Sequence, residues 1–325
     1  MAETAPTVDY SKYLDAPLLQ IPSRPLEGQS ALVTGATQFK GIGLGIAERF
    51  AAEGMRVFVV GTEKSQHIAP FIVDRLKMYG VEAYSFVGDI TKREDCKRIV
   101  AETSKIARNR IDVLVNNAGR NVNRAFPGVT PEIFDSVLDP KAKGAWFMTQ
   151  EWFIIRNRLQ IRGGRVINIG SPIGSIFGGF GQGPYAEANG AIFGLTQYLA
   201  LDLASRGVNT NIIAPSATEG TNIAEGVDME QVRIVTPTQR LVTIQDIAGA
   251  AVFLAGPDAA NINGVILPVD GGIKSNYTAL IPLYKAGFRQ VPDEAIDLIE
   301  GGITQDEIEA AMAVRRQRLE KAGLL

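Results

Sequence analysis

The sequence has little of the chemistry that disulfides, metal sites and hydrolytic triads require. It contains one cysteine, Cys96, and one histidine, His67, in 325 residues. A disulfide needs two cysteines and a zinc-type site needs several soft ligands, so neither is predicted. A Ser-His-Asp triad would have to use His67, which lies in a polar stretch. A hydrolase of that kind is therefore disfavoured.

Long apolar runs and basic clusters are also missing. The first seventeen residues include acids and have no apolar run of signal-peptide length, and no later run is long enough to span a membrane. Lysine and arginine are spread along the chain, and the net charge is −2. We therefore expect a cytoplasmic protein that acts on a small-molecule substrate, with neither nucleic acid nor a membrane as a partner.

Seven short apolar runs alternate with segments of helical spacing. The runs are continuously apolar, which is typical of parallel strands covered by helices on both faces. The predicted strands are 31–33, 57–60, 84–87, 113–115, 166–169, 211–214 and 265–267. The predicted helices are 44–52, 69–79, 94–107, 132–153, 186–204 and 247–255. This order predicts an α/β fold, a Rossmann-type doubly wound parallel sheet of about seven strands.

The alternation of strands and helices predicts a single core with an extension at each end. The core covers residues 26–274, and residues 1–25, which contain four prolines, form the N-terminal extension. The C-terminal extension, 275–325, includes a stretch at 304–321 with a capping sequence at its start and basic residues near its end. That stretch predicts a helix, which packs on the body, contacts a partner subunit or covers the site.

A glycine-rich turn joins the first predicted strand to the first helix. Glycine allows the backbone to turn sharply and approach a pyrophosphate, which amides at a helix N-terminus then hold. The turn occupies the first strand-to-helix crossover, where this architecture binds a dinucleotide. Its candidate cofactor-binding residues are Gly35, Thr37, Lys40, Gly41, Ile42 and Gly43.

Further motifs follow the glycine turn in a specific order. They are Gly88-Asp89-Ile90, Asn116-Asn117-Ala118-Gly119, Pro215-Ser216 and the closing stretch 263–272. With these motifs the sequence resembles the short-chain dehydrogenase/reductase family over residues 26–274, although its glycine turn is two residues longer than usual. The resemblance implies cofactor contacts from Thr62, Asp89, Ile90, Asn117, Ala118, Gly119, Pro215 and Thr218.

The end of the second strand bears on the choice of cofactor. Members of the family that use NAD(H) place an acid there, which binds the ribose 2′-hydroxyl and repels a 2′-phosphate. This sequence has Gly61 instead, and Lys40 stands where members that use NADP(H) have a basic residue. We therefore favour NADP(H) over NAD(H). NAD(H) stays an alternative because Glu63, two residues after Gly61, could turn inward and take the place of the acid.

The reaction centre of the family uses an Asn, a Ser, a Tyr and a Lys. Its Ser and Tyr hold the carbonyl oxygen, and its Lys lowers the pKa of the Tyr, because a phenol with a pKa of about 10 is a poor base at neutral pH. Ser171 and Tyr185 match the first pair. Asn189 stands at the Lys position and Lys141 at the Asn position, so the two residue types are exchanged.

Two functions are compatible with this exchange. In the first, Lys141 supplies the missing cation to Tyr185 and Asn189 binds the cofactor ribose, so the protein transfers a hydride between a nicotinamide cofactor and a carbonyl or alcohol. In the second, the scaffold binds a cofactor without catalysis or carries out a non-redox reaction. Phe177, Phe180 and Trp146 are candidate residues on the substrate side.

A homo-oligomer, either a dimer or a tetramer, is predicted from the helix that follows Tyr185. Helices of this kind pair between subunits in the family. The apolar residues Ile192, Leu195, Leu199 and Leu203 offer more apolar surface than one sheet needs to cover.

Overall fold

The computed structural model describes residues 24–176, 178–179, 181–221 and 229–275. The strands are β1 (Ser30–Thr34), β2 (Arg56–Gly61), β3 (Ala83–Val87), β4 (Val113–Asn116), β5 (Gly164–Ile169), β6 (Val208–Pro215) and β7 (Ile266–Val269). The helices are α1 (Ile42–Ala52), α2 (Ala69–Lys77), α3 (Arg93–Ile106), α4 (Pro131–Arg158), α5 (Gly183–Asp202), α6 (Met229–Val235) and α7 (Ile244–Ala255). None of the described helices is long and apolar enough to cross a membrane.

The seven strands form one sheet in the order β3-β2-β1-β4-β5-β6-β7. Every neighbouring pair is parallel, as in the pairing of Ala31 with Val57 on one side and with Val113 on the other. The predicted Rossmann-type sheet is confirmed. The strand order reverses between β1 and β4, and the crevice beyond the carboxyl ends of these strands is where such folds bind ligands.

Alternate residues of the strands enter two separate apolar clusters, one on each face of the sheet. In β1, Ala31 and Val33 pack with residues of α1, α2 and α7. Leu32 points the other way and packs with residues of α3, α4 and α5. Burial on both faces explains why the strands read as continuous apolar runs.

The strand β6 begins three residues before its predicted start because its first half is polar. Asn209 and Asn211 are nevertheless buried, and their side-chain amides donate to the carbonyl of Ile262 at 2.9 and 2.8 Å. Asn211 also accepts from the backbone amide of Val265 at 3.0 Å. Polar side chains that satisfy a neighbouring loop can occupy a buried strand without an unpaired group.

The helix α4 extends five residues beyond its predicted end and continues through Pro140. Proline has no backbone N–H, so Pro140 cannot donate to the carbonyl of Ser136. The Thr130 side chain accepts from the amide of Ile133 and caps the start of the helix. Pro140 therefore removes one hydrogen bond from α4 directly before Lys141.

We expected the apolar residues of α5 to offer more apolar surface than one sheet covers, and that expectation was wrong. Ile192, Leu195, Leu199 and Leu203 are at most 8% exposed and pack in the core of their own chain, against β5, β6 and α4. The exposed large side chains within α4 and α5 are those of Trp146, Phe193, Tyr198 and Leu201.

The sheet and the helices α1 to α5 and α7 belong to one compact unit, and α6 belongs to a second unit with residues 271–275. The helix α6 was not among the predicted helices. Nearly all of the N-terminal extension, the helix predicted at 304–321 and the aromatic residues Phe177 and Phe180 lie outside the described residues.

Candidate active site

The glycine turn packs closely against the end of β4. Gly35 has a φ of +63°, and a Cβ there would lie 2.8 Å from the Cα of Ala118. A Cβ on Gly43 would lie 2.5 Å from the side-chain nitrogen of Asn117. Gly41 precedes α1 and offers no side chain to cap it, so amides at the start of this helix face the turn. Glycine at positions 35 and 43 is therefore required for the turn to pack against Asn117 and Ala118.

Hydrogen bonds from Asn117 hold this turn in place. Its side-chain amide donates to the carbonyls of Thr34 and Gly35 at 2.9 and 3.0 Å. The Thr34 hydroxyl in turn accepts from the backbone amides of Asn117 and Ala118. Asn117 was predicted to bind the cofactor, and the structure shows that its side chain holds the loop that would do so.

Two side chains fill the space beside Gly61. The hydroxyls of Thr37 and Ser65 are 2.6 Å apart and buried. A Cβ on Gly61 would overlap the Thr37 hydroxyl oxygen and lie 2.6 Å from that of Ser65. No side chain, acidic or otherwise, fits at Gly61 while this pair stands. The packing of Thr37 against Ser65 therefore requires glycine at position 61. The absence of an acid there has a steric cause as well as an electrostatic effect.

Two adjoining cavities lie over the carboxyl ends of β1, β2 and β4. One, of about 400 Å³, is lined by Gly61, Thr62, Lys64 and Asp89 among others. The other, of about 470 Å³, is lined by Lys40, Gly41, Ile42, Asn121, Asn123 and Thr221 among others. Both share the lining residues Gly35, Gln38, Asn117, Gly119 and Arg120. Together they form an elongated cleft across the point where the strand order reverses.

Most of the predicted cofactor residues line this cleft, and a few do not. Thr37, Ile90 and Ala118 line the smaller cavity. Gly43, Pro215 and Thr218 do not line the two cavities. Gly43 is buried in the first turn of α1, Pro215 ends β6, and the Thr218 hydroxyl donates to the carbonyl of Ser216. The sequence reasoning missed Gln38, Lys64, Ser65, Arg120, Asn121, Asn123 and Thr221, because no family motif marked them.

Ser171 and Tyr185 meet at the end of β5 and the start of α5, as predicted. Burial raises the pKa of the Tyr185 phenol, and hydrogen bonds with Ser171 and Asn189 oppose that rise. The Ser171 hydroxyl also accepts from the amide of Ile173 at 3.2 Å, which fixes its orientation. The pair is therefore buried and preorganised, but its hydrogen bonds alone leave the phenol a weak acid.

Lys141 lies beside this pair. Its side chain is 4% exposed, and its Nζ lies 5.6 Å from the centre of the Tyr185 ring. It also lies along Gly119, where a Cβ would be 3.5 Å from the Nζ. Burial lowers the pKa of Lys141 to about 8, and no carboxylate within the described ranges forms an ion pair with it.

Asn189 is anchored by the helix that carries it. Its side-chain nitrogen donates to the backbone carbonyl of Tyr185 at 2.8 Å. Its side-chain oxygen is buried and has no hydrogen-bond partner among the described residues. A buried acceptor without a partner carries a desolvation cost that a ligand hydroxyl would relieve.

A buried polar network holds α4 and α5, the helices that carry Lys141 and Tyr185, to the sheet. The side-chain nitrogen of Asn116 donates to Asn168 at 2.8 Å and to Thr149 of α4 at 3.0 Å. Asn168 then donates to Thr196 of α5 at 2.7 Å. Because β4, β5, α4 and α5 are joined this way, Lys141 and Tyr185 are presented on a fixed frame.

Comparison with known proteins gives consistent results. Residues 35–274 match the family model described as enoyl-(acyl carrier protein) reductase. The chain is 35% identical over 253 residues to a 3-oxoacyl-(acyl-carrier-protein) reductase of Vibrio cholerae, an alignment that covers 76% of this chain and 98% of the relative. The reductase of the same name from Escherichia coli is 34% identical over 250 residues, with the same coverage.

A similar solved structure is the blue fluorescent protein from a metagenomic library in complex with NADPH. It is 30% identical to this chain, with a TM-score of 0.70. The superposition covers 77% of this chain and 99% of that one. The likeness thus spans the sheet and the cleft together.

Proposed function

The chain belongs to the short-chain dehydrogenase/reductase family, and we propose that it is an NAD(P)-dependent oxidoreductase that interconverts a carbonyl compound and an alcohol. The observation that supports this most strongly is the placement of Ser171, Tyr185 and Lys141 together beside the cleft. A binding protein would have no need for a buried phenol with a buried amine against its ring. When bound, the nicotinamide supplies or accepts the hydride.

The residues of the cleft fit a dinucleotide. Gly35 and Gly43 let the turn pack closely against Ala118 and Asn117, and the start of α1 offers free amides to a phosphate. The unpartnered oxygen of Asn189 is an acceptor suited to a ribose hydroxyl. We assign the pyrophosphate to the glycine turn and the ribose beside Tyr185 to Asn189.

Proton transfer falls to Tyr185. In the reductive direction its hydroxyl gives a proton to the substrate oxygen, and Ser171 holds that oxygen by a hydrogen bond. The phenolate that remains is buried, and burial raises the pKa of Tyr185. A cation close to the ring stabilises the phenolate, and the ammonium of Lys141 is the group in position to do so.

We infer a preference for NADP(H). Gly61 removes the acid that would repel a 2′-phosphate, and the cavity beside it contains Lys64. Lys40 lines the adjoining cavity, nearer the glycine turn. The similar solved structure holds NADPH. Two lysines therefore line the cleft. Lys64 lines the same cavity as Gly61.

We also propose that the chain forms a homo-oligomer through the outer faces of α4 and α5. Trp146 and Tyr198 stack there with ring centres 5.9 Å apart, although both side chains are more than two-fifths exposed. Leu201 is 83% exposed and Phe193 is 38% exposed. A second copy of the chain would bury this patch symmetrically.

The test of the proposed function is oxidation of NADPH by the full chain with a panel of ketones and aldehydes. Wild type should show saturable turnover with at least one of them. Tyr185→Phe should lose about a hundredfold or more of that turnover while it binds NADPH normally. If no carbonyl compound is reduced and no alcohol oxidised although NADPH binds, the protein is not an oxidoreductase of this kind.

A further inference from the structure

The larger cavity of the cleft carries positive charge that the protein does not neutralise. Lys40 and Arg120 line it, and no acidic residue is among its described lining residues. Neither forms an ion pair with a described residue, whereas Arg49, Arg75 and Arg93 are each paired with a glutamate. Arg120 also lines the smaller cavity, which contains Asp89, so the excess of positive charge is confined to the larger cavity. A cavity lined by charge of one sign concentrates its field on ligands of the opposite sign.

This charge lies next to the reaction centre. Arg120 follows Gly119, the residue alongside which the Nζ of Lys141 lies. Four residues later, the backbone amide of Arg124 donates to the carbonyl of Gly181 at 2.8 Å, just before the start of α5. The segment 120–124 therefore borders both Lys141 and the helix that carries Tyr185.

Two asparagines line the cavity with Arg120, and the side-chain nitrogen of Asn121 donates to Asn123 at 2.9 Å. The side-chain oxygen of Asn121 is an acceptor without a partner among the described residues, so the donors suited to an anion are those of Arg120. A guanidinium binds carboxylate and phosphate oxygens through two parallel hydrogen bonds. Arg120 has no such acceptor among the described residues, so its planar donors are available to a ligand.

We propose that the carbonyl substrate carries an acidic group, a carboxylate or a phosphate, that binds Arg120. This inference rests on the proposed function and narrows its substrate class to anionic oxo compounds. Arg124 contributes positive charge at the same border without direct contact. An uncharged ketone of equal size lacks this interaction and binds more weakly.

The experiment compares matched substrate pairs with wild type and three variants. Acetoacetate, 4-oxopentanoate and 5-oxohexanoate are each measured against their methyl esters, and dihydroxyacetone phosphate against dihydroxyacetone, with NADPH as reductant. The variants are Arg120→Gln, Arg124→Gln and, as a control, Arg108→Gln. Arg108 lies between α3 and β4, at the amino ends of the strands, whereas the cleft lies over their carboxyl ends.

For wild type, kcat/KM should be at least about tenfold higher for one acid than for its ester. Arg120→Gln should raise the KM for that acid at least about tenfold. The kcat for the acid, the kcat/KM for the ester and the Kd for NADPH should change little. Arg124→Gln should have a smaller effect that disappears at high salt, and Arg108→Gln should behave as wild type. The carboxylate and phosphate pairs tell the two acidic groups apart.

Equal kcat/KM for acids and esters would overturn the inference and leave the proposed function standing. A loss of NADPH affinity in Arg120→Gln without a change in acid preference would overturn it too, by assigning Arg120 to the cofactor. If none of these probes is reduced, the wider panel of ketones and aldehydes decides on the proposed function, and binding decides on the anion site. Calorimetric titration of the acids into the NADPH complex then decides: saturable binding that Arg120→Gln abolishes supports an anion site, and no binding overturns it.

Discussion

The Nζ of Lys141 lies 5.6 Å from the centre of the Tyr185 ring, and both side chains are buried. The two residues come from different helices, α4 and α5, which the buried asparagine and threonine network ties to the sheet. An ammonium placed over the face of an aromatic ring is attracted by the ring electrons, and more strongly so when the ring becomes a phenolate. The neighbouring position of the lysine therefore suits the charge that forms on Tyr185.

Replacement of Lys141 by Met should separate activity from stability. We expect turnover to fall about a hundredfold or more, because Tyr185 loses the cation that stabilises its phenolate. The free energy of unfolding should rise at neutral pH, because a buried charge without an ion pair disappears. A pKa lowered from 10.5 to about 8 corresponds to a cost of roughly 3 kcal/mol. Urea unfolding and steady-state kinetics measure the two effects.

The matched control for this variant is Lys143→Met. Lys143 is on the same helix but is 58% exposed on its side chain and pairs with Asp139. Its loss should change both quantities little. Full activity of Lys141→Met on a true substrate would show that the proton path lies elsewhere.

The stability of the wild type should depend on pH in a window set by Lys141. Its pKa is about 8 in the folded state and 10.5 when unfolded, so the unfolded chain holds this proton more tightly. The cost of burying the charge of Lys141 is full below pH 8 and disappears as the pH rises to 10.5. The free energy of unfolding should therefore increase across that window. Unfolding curves should show this increment in wild type and lack it in Lys141→Met. The same slope in both proteins would exclude Lys141 as its source.

The predicted exchange of residue types at positions 141 and 189 can be tested by reversing it. Lys141→Asn should lose turnover, and the double variant Lys141→Asn/Asn189→Lys should recover at least about tenfold of it, because a lysine then again lies near Tyr185. Asn189→Ala alone should mainly weaken cofactor binding. The comparison of kcat in Lys141→Asn, Asn189→Lys and the double variant gives the coupling. Additive losses would mean that the two positions do not act together.

Much of the fold could be predicted because parallel strands covered on both faces are apolar throughout. Polar strand residues that bond with distant partners, such as Asn209 and Asn211 in β6, could not be predicted from the local sequence. The predicted end of α4 was too early, because neither the local sequence nor Pro140 shows how long packing against α3 and α5 sustains a helix. Tertiary contacts decide both cases.

The reaction centre was predicted by resemblance, whereas the surroundings of the cleft were not. Ser171, Tyr185, Lys141 and Asn189 come from four positions that a known pattern marks. The Thr37–Ser65 hydroxyl pair joins residues 28 positions apart, and Arg120 belongs to no motif. Sequence spacing gives no distance between such residues, so only the folded chain shows that a side chain at Gly61 is excluded.

The oligomer prediction places its interface on the outer faces of α4 and α5. Leu201→Glu should put a charge in the centre of an apolar contact and shift the protein to a smaller species. Multi-angle light scattering at micromolar concentration measures the mass of both proteins. A control, Met78→Glu, alters an exposed apolar residue just after α2 and should leave the mass unchanged. A wild-type monomer would contradict the prediction outright.

The last prediction concerns the basic residue that selects NADP(H). Lys64 lines the cavity that also contains Gly61, Thr62 and Ser65, whereas Lys40 lines the cavity with Gly41 and Ile42. A 2′-phosphate belongs beside the end of β2, where the acid of NAD-selective relatives would stand. We therefore expect Lys64→Gln to raise the Kd for NADPH at least about tenfold and to leave the Kd for NADH unchanged.

Lys40→Gln is the matched comparison for Lys64→Gln. If Lys40 serves the shared pyrophosphate, its loss weakens NADPH and NADH alike. A selective loss of NADPH affinity in Lys40→Gln instead would assign the 2′-phosphate to the glycine turn, as the resemblance to the family suggested. Fluorescence titration of both reduced cofactors against the two variants separates these outcomes. Equal or tighter binding of NADH than of NADPH by wild type would remove the preference for NADP(H) altogether, since the absence of an acid at Gly61 would then reflect only the packing of Thr37 against Ser65.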